Sequence, residues 1–584
     1  MSLQTRSCLA SAVVLVCGGI IGCGRQPADS PPPPPESNAA GVQFVDVTSS
    51  VGLDTFRQVS GAPDKLYLPA ATGAGVGLFD ADGDGDLDVF LINGSRIGGF
   101  EEGHEPTNRL FLNDGRGETF HDATAASGLE SHGAWGQGLA IADIDRDLDL
   151  DLYVTNYERN ALYLNQGDGT FSEAAAEAGV DSALWSTGAA FIDYDLDGDL
   201  DLYVANFVRY DRVLAAYKGR EWLTHTWKGL QVASGPMGLP AAGDQLFRND
   251  STEPAIRFTE VTVEAGIAAV EPSYGFQPAL GDIDGDGFLD LFVANDSRPN
   301  FLWRNLSGSG FRESALETGA AYDRAGADQA CMGVALEDHE GDGDLDVFVT
   351  NFADELNTLY VADGSGTFHD DTLAAGLRGR HTHSNLAWGT FFFDSENDGD
   401  LDLFVANGHV YPQVDELAGQ ESYAQLNELF LQTEPGRYRE DAANAGDGFA
   451  VRKVSRGAAM GDLDDDGDLD IVINNLDDMP TVLRNDSRPQ GHWLKVLLRG
   501  SDRNGSAIGA RVTLEAAGRR YLRTVRSSDS FLSHHDLRLH FGLGEAASVE
   551  RIAVDWPDGA SEEVVPALID ALVVIEQGRG IVSP

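Results

Sequence analysis

A nine-residue acidic core returns seven times along the chain, and any fold has to accommodate seven equivalent copies of it. The copies begin at Asp80, Asp143, Asp193, Asp282, Asp338, Asp394 and Asp462, and each approximates D-x-D-x-D-G-D-L-D. Each then runs into a short apolar stretch, DVFLIN after the first copy, DLYVTN after the second and DIVINN after the last. Stretches so rich in β-branched and aromatic residues are strands, which makes the acidic cores turns between strands.

Carboxylates at this fixed spacing predict a metal loop. Oxygens from positions 1, 3 and 5, a main-chain carbonyl at 7 and a carboxylate at 9 supply the six or seven ligands that Ca²⁺ takes at about 2.3 to 2.6 Å. The candidate ligands are Asp80, Asp82, Asp84, Asp86 and Asp88; Asp143, Asp145, Asp147, Asp149 and Asp151; and Asp193, Asp195, Asp197, Asp199 and Asp201. They continue with Asp282, Asp284, Asp286, Phe288 and Asp290; Asp338, Glu340, Asp342, Asp344 and Asp346; Asp394, Glu396, Asp398, Asp400 and Asp402; and Asp462, Asp464, Asp466, Asp468 and Asp470. Phe288 has no ligand side chain, so position 7 contributes through its backbone. Position 6 is Gly in six copies (Gly85, Gly198, Gly287, Gly343, Gly399, Gly467), where a left-handed turn costs least without a Cβ. The second copy has Leu148 there and is the weakest match. Glu340 and Glu396 at position 3 predict weaker binding by the fifth and sixth copies. Leu at position 8 in all seven copies reads as a core plug. An EF-hand needs an acid at position 12 and a helix afterwards; Leu91, Val154, Val204, Val293, Val349, Val405 and Ile473 occupy it here, which excludes that motif.

The loops also explain the charge. Ninety-four acids face forty bases, a net −54, and the seven cores hold 35 of those acids. With no basic stripe, nucleic acid is not an expected partner.

The N-terminus carries an export signal, residues 1–22: Arg6 is the only charge before an apolar run from Leu9 to Ile21. Its ending, Ile20-Ile21-Gly22-Cys23, resembles the bacterial lipobox, and that resemblance implies that Cys23 becomes the lipidated first residue. Residues 23–41 then form a Pro-rich tether, including ADSPPPPPESNAA from Ala28 to Ala40. Cys8 and Cys17 leave with the signal, so Cys331 is the single remaining thiol and no intrachain disulfide is expected. Bound cations are the expected staple instead.

Aligned copies expose a unit of four strands. A Gly/Ala-rich strand such as GAGVGLF precedes the loop, the loop's own strand follows, then a strand with an Asn signature (NRLFLNDG from Asn108), then a Phe-led segment (FHDATAASGL from Phe120). Four strands per unit make a propeller blade. The Phe-led segment is missing after the seventh loop, while a stray copy, FVDVTSSVGL, stands at Phe44 to Leu53. Phe44 to Thr48 is therefore expected to complete the blade containing Asp462, closing an all-β, seven-bladed propeller over residues 42–488 and removing both open edges. Phe207 to Gly243 is an insertion in the third unit. With Trp222 and Trp227 among basic residues it reads equally as a helical lid or partner surface, or as an insertion packed on its own blade. Residues 489–584 alternate differently, through HWLKVLL, GARVTLEA, RRYLRTVRS, DLRLHFG, SVERIAVDW and DALVVIEQ, and form a small β-sandwich or barrel.

These motifs are familiar. The loops resemble FG-GAP/VCBS repeats of the integrin-α type, and the tail resembles the ASPIC/UnbV domain through HWLKVLLRG (His492 to Gly500), NGSAIGARVTL (Asn504 to Leu514), FGLGEA (Phe541 to Ala546) and VERIAVDWPDG (Val549 to Gly559). Together with GHVYPQVD, Gly408 to Asp415, they look like bacterial relatives of the cartilage acidic protein group. The resemblance implies an exported, calcium-dependent propeller with an appended β domain, used in adhesion or matrix binding. The cysteine-rich EGF-like module of some animal members is absent. In SSDSFLS, Ser527 to Ser533, Ser528 and Asp529 stand where Gly and Ser are expected.

No nucleophile elbow, phosphate loop or H-E-x-x-H motif is present. His381 with His383, His409, and His534 with His535 have no fixed spacing to a partner base and read as structural or surface groups, ahead of a proton-transfer role or a second metal. The expected function is a calcium-binding lipoprotein scaffold at the bacterial envelope, at the outer membrane or cell surface and membrane-attached only through its lipid. Its expected partner is a glycan or an envelope or matrix protein. The alternative is a carbohydrate-active lyase or hydrolase acting at the propeller channel mouth, since propellers host such chemistry and fold does not fix function.

Overall fold

The computed structural model describes residues 41–582 except 102, 132, 212–223, 253–254, 418, 420, 489 and 502. The expected export signal, Cys23, most of the expected tether and Trp222 lie outside the described residues. Among the described residues no helix is long and apolar enough to cross a membrane.

Seven four-stranded antiparallel sheets follow one another along the chain. Their first strands, Val76–Phe79, Trp135–Ala142, Ser186–Ile192, Gly275–Gly281, Val334–Glu337, Ala387–Phe393 and Ser455–Gly461, touch one another in order, and the seventh touches the first. The seventh sheet takes its outer strand from the other end of the chain. Phe44 pairs with Asn485, Val45 with Arg484 and Asp46 with Leu483. Pairing the two ends converts the last exposed edge into ladder hydrogen bonds.

Asparagines of the third-strand signature fasten the ring. Asn113 donates its side-chain amide to the Leu87 carbonyl, at position 8 of its own loop, and to the Leu463 carbonyl, at position 2 of the seventh loop, at 3.0 and 2.8 Å. Asn485 repeats this with Leu469 and Ser395 at 3.3 and 2.9 Å. The earlier Asn of the third-strand signature, Asn108, accepts the Asn93 amide proton at 2.8 Å and ends the second strand. The position 8 leucines are buried in six sheets, and Leu150 is half-buried against the same core.

The tail is a sandwich. One sheet runs Leu539–Gly544, His492–Arg499, Leu572–Glu576, Gly580–Val582, with its two middle strands parallel; the other runs Arg519–Thr524, Arg511–Ala516, Arg551–Asp555, Ser561–Val564. The sequence reading missed the short strands Ser561–Val564 and Gly580–Val582. Leu494, Val512, Phe541 and Ile552 fill its centre and join the core of sheets two to four.

The segment Ser527–His534 leaves the sandwich and enters the propeller channel, where it meets all seven inner strands. Ser527 Oγ donates to Phe191 O at 2.7 Å, Ser528 Oγ to Pro278 O at 2.7 Å and Ser530 Oγ to Ala458 O at 2.8 Å. The Val334, Thr390 and Val76 amides donate to Ser530 O, Ser530 Oγ and Ser533 Oγ at 2.8, 3.2 and 3.2 Å. Leu532 lies against Gly138, where a Cβ would come within 2.8 Å of the Leu532 side chain. A Cβ on Gly75 would meet Leu532 O at 2.0 Å. The Gly/Ala content of the inner strands thus makes room for a plug. Ser528 and Asp529, the departures from the expected turn, sit in that plug.

Acidic loops on one rim and an aromatic cavity on the other

Each acidic loop needs two left-handed residues. Position 6 has φ of 90 to 101° at its six glycines, and Leu148 is forced to 75°. Position 4 is also left-handed in every copy: Gly83, Arg146, Leu196, Gly285, Gly341, Asn397 and Asp465 have φ between 57 and 78°. Sequence reading missed position 4 because Arg146 and Leu196 obscure a set otherwise made of Gly, Asn and Asp.

The two turns fold the carboxylates inward. Asp80, Asp82 and Asp88 each bring an oxygen within 4.8 Å of the others, as do Asp143, Asp145 and Asp151, while the third and fourth loops gather Asp193, Asp195, Asp197 and Asp282, Asp284, Asp286. Position 1 also accepts loop amides, Gly85 N–H to Asp80 at 3.0 Å for example. Position 9 is a hub as well as a candidate ligand: Asp88 accepts the Asn113 and Ala81 amides on its two oxygens at 2.8 Å each. Asp470 does the same with Asn485 and Leu463 at 2.8 and 3.0 Å.

The donor set fits a hard cation. Asp82, Asp145, Asp193, Asp282 and Asp462 each keep one buried carboxylate oxygen without any hydrogen-bond donor, an arrangement that costs free energy unless a positive charge meets it. Burial pushes Asp88, Asp290 and Asp394 up to about 8 and Asp193 up to about 7, with neighbouring loop carboxylates adding to the shift. Asp151, Asp201, Asp402 and Asp470 are driven up by burial as well.

The sandwich covers this rim, and its cations reach into the loops. Arg519 donates to Asp400 at 2.6 Å, Arg503 to the Asp197 carbonyl at 2.8 Å and Arg538 to the Gly85 carbonyl at 3.1 Å. Ser506 Oγ accepts the Asp143 amide at 2.8 Å.

The opposite mouth is a different surface. The insertion is not a helix in its described part: Thr224–Trp227 and Leu230–Ala233 form a hairpin. The base of the insertion packs on its own sheet, where Phe207 meets Trp185 with ring centroids 5.1 Å apart, but the hairpin reaches other sheets. Trp227 lies against His409, Tyr411 and Phe352, which follow the second strands of sheets six and five. Lys228 bridges Asp354 and Glu421 at 2.6 and 2.5 Å. Between this hairpin and the channel lies a cavity of about 410 Å³ whose aromatic walls include Trp227, Trp388, Phe276 and Tyr411, with Asp296 and Glu355 also facing it. Burial raises Asp296 to about 6 and Glu355 to about 7, the latter helped by Asp296. GHVYPQVD forms the wall beside it. Gly408 O accepts Trp388 Nε1–H at 2.7 Å and the buried Arg456 at 3.0 Å, and the guanidinium stacks 4.0 Å over Trp388.

The histidines do not form one site. His409 is buried and neutral, pushed down to about 3, and its Nδ1 accepts the Tyr411 amide. His534 ends the plug and His535 follows it, lowered by burial to about 4 and about 3. His381 and His383 sit in the loop before sheet six. Cys331 is a buried free thiol.

Residues 500–582 match the ASPIC and UnbV family, and residues 80–154, 147–204 and 282–349 match the FG-GAP-like repeat. The chain is 29% identical over 336 residues to cartilage acidic protein 1 of Mus musculus, covering 54% of this chain and 48% of that protein. It is 28% identical over 324 residues to the Homo sapiens protein of that name, covering 53% and 45%. The chain thus spans about half the length of these curated relatives. A solved Agrocybe aegerita protein that recognises non-reducing terminal N-acetylglucosamine overlaps 71% of this chain and 90% of its own at 14% identity, with a TM-score of 0.36.

Proposed function

We propose that this chain, which carries FG-GAP-like repeats and an ASPIC and UnbV domain, is an exported calcium-binding scaffold that presents a glycan-binding mouth at the bacterial envelope. The observation that carries the metal half is the set of buried carboxylate oxygens without donors, recurring at positions 1 and 3 of the loops. Calcium bound there would neutralise clustered carboxylates and turn their repulsion into folding free energy. Positions 1, 3, 5 and 9 of the loops would hold it, with the position 7 carbonyl.

The binding half rests on the cavity under the hairpin. Aromatic faces pack on the apolar faces of sugar rings, and buried carboxylates accept hydroxyl hydrogen bonds, the combination of apolar walls and few polar groups expected of a ligand site. Lipid attachment at Cys23 is supported by the apolar run from Leu9 to Ile21 that precedes it. A panel of glycans and envelope proteins, screened with the intact chain in calcium and with Trp227→Ala, tests the reading. Glycan binding lost in the variant supports it; binding only to proteins, or unchanged glycan binding, contradicts it.

One observation favours an enzyme as the second reading. Asp296 and Glu355, raised to about 6 and about 7, share the cavity, and a carboxyl that titrates near neutrality can act as a general acid. Turnover of a bound polysaccharide that disappears in Glu355→Gln would replace the scaffold reading.

A further inference from the structure

The fifth loop differs chemically from the other six. Its position 2 is His339, where the others carry Ala81, Ile144, Tyr194, Ile283, Ser395 and Leu463. The imidazole is clamped: its side chain is 1% exposed, Nδ1 lies 3.0 Å from the Tyr438 hydroxyl and the ring stacks on Phe392 at 5.6 Å with 9° between planes. Clamping aims Nε2 at two carboxylates, 2.6 Å from Glu340 Oε2 and 3.6 Å from Asp346 Oδ2.

None of these three atoms meets a hydrogen-bonding group from outside the trio. In all six other loops the outer oxygen of position 9 accepts the position 2 amide, as Asp88 does from Ala81, Asp151 from Ile144, Asp201 from Tyr194, Asp290 from Ile283, Asp402 from Ser395 and Asp470 from Leu463. Asp346 Oδ2 is released from that duty, while Asp346 Oδ1 is still oriented by the Ala362 amide at 2.8 Å. One imidazole nitrogen and two carboxylate oxygens, all potential acceptors, therefore converge on one point.

We infer that the fifth loop is a Zn²⁺-type site held by His339 Nε2, Glu340 and Asp346. Calcium selects oxygen ligands, whereas Zn²⁺ takes imidazole and carboxylate together. Two ligands on a tetrahedral Zn²⁺ stand about 3.4 Å apart, a separation the two observed distances bracket. Tyr438 on the far nitrogen supplies the outer hydrogen bond that fixes ring orientation in metal-bound histidines. Glu340 is partly exposed and borders a small cavity of about 50 Å³, leaving the ion a path from solvent. Calcium binding by the other loops is a separate matter.

The test uses the full chain, stripped of metal and then saturated with Ca²⁺. Co²⁺, a spectroscopic stand-in for Zn²⁺, is titrated in, and Zn²⁺ follows. We expect one equivalent of Co²⁺ to give a visible ligand-field band that excess Ca²⁺ leaves and one equivalent of Zn²⁺ removes. His339→Gln loses the band while keeping its calcium response. Tyr438→Phe weakens Co²⁺ by about 10- to 100-fold, as expected of an outer-shell partner. Displacement of Co²⁺ by Ca²⁺, a band unchanged in His339→Gln, or no Co²⁺ binding at all would overturn the assignment, the last leaving only an imidazolium–carboxylate pair. A failure of the calcium reading would register separately, as absence of Ca²⁺ heat before Co²⁺ is added.

Discussion

Lys495 Nζ lies 2.7 Å from Asp462 Oδ2, so a buried cation from the C-terminal sandwich stands inside the seventh acidic loop. It also meets Asp465 at 2.5 Å. A protein cation at a metal-loop carboxylate competes with an ion for the same charge. Lys495→Met is therefore expected to add one calcium equivalent by titration calorimetry. Without calcium the same variant is expected to lose about 3 to 5 kcal/mol in urea unfolding, because a buried carboxylate loses its partner. Unchanged stoichiometry would mean that Lys495 and calcium coexist there.

Leu148 holds a left-handed φ of 75° while its side chain is 62% exposed, so its strain has little packing return. Left-handed backbone costs a residue with a Cβ about 1 to 2 kcal/mol. Leu148→Gly should stabilise the chain by about 1 kcal/mol after the entropy cost of Gly, read by chemical denaturation. Destabilisation would show that Leu148 packs more than its exposure indicates.

Phe531 crowns the plug, fully buried, with its ring centroid 4.8 Å from that of Trp388 and 5.7 Å from that of Phe276. Phe531→Ala should cost about 3 to 5 kcal/mol, the range for emptying an aromatic core site. Because the plug touches every inner strand, propeller and tail are expected to unfold in one transition in the parent chain. Two separate calorimetric transitions there would contradict a shared core.

Buried carboxylates fix the sign of the pH response. Asp88 and Asp290 rise from an ordinary 3.8 to about 8 in the folded chain, so without metal the native state binds more protons than the unfolded chain across that window. Stability is then greatest at the acid end and falls as pH rises toward 8. Calcium holds the carboxylates ionised and should remove most of that slope. Melting curves across this range, with and without calcium, check it, and a metal-free stability rising with pH would contradict it.

The repeat was legible because its signals are local: seven cores, glycine at position 6, and a displaced strand at Phe44 that pairs as expected with Asn485. What sequence concealed depends on distant partners. In SSDSFLS only the departures at Ser528 and Asp529 were visible; its serines become channel lining once the inner strands supply amides and carbonyls. Trp227 gave no hint that it reaches sheets five and six, since contact partners of an insertion are set by where its loop lands. His339 looked like a variable position 2; only the Tyr438 contact turns its free nitrogen toward the carboxylates.

If the acidic loops capture cations that lock the ring, calcium titration of the metal-stripped chain with parallel melting curves will show it. Several equivalents of bound Ca²⁺ and a large rise in melting temperature are expected, since each independent site adds about 2.7 kcal/mol at a hundredfold excess over its Kd. No heat of binding, together with a melt that is the same in calcium and in excess EDTA, would contradict it.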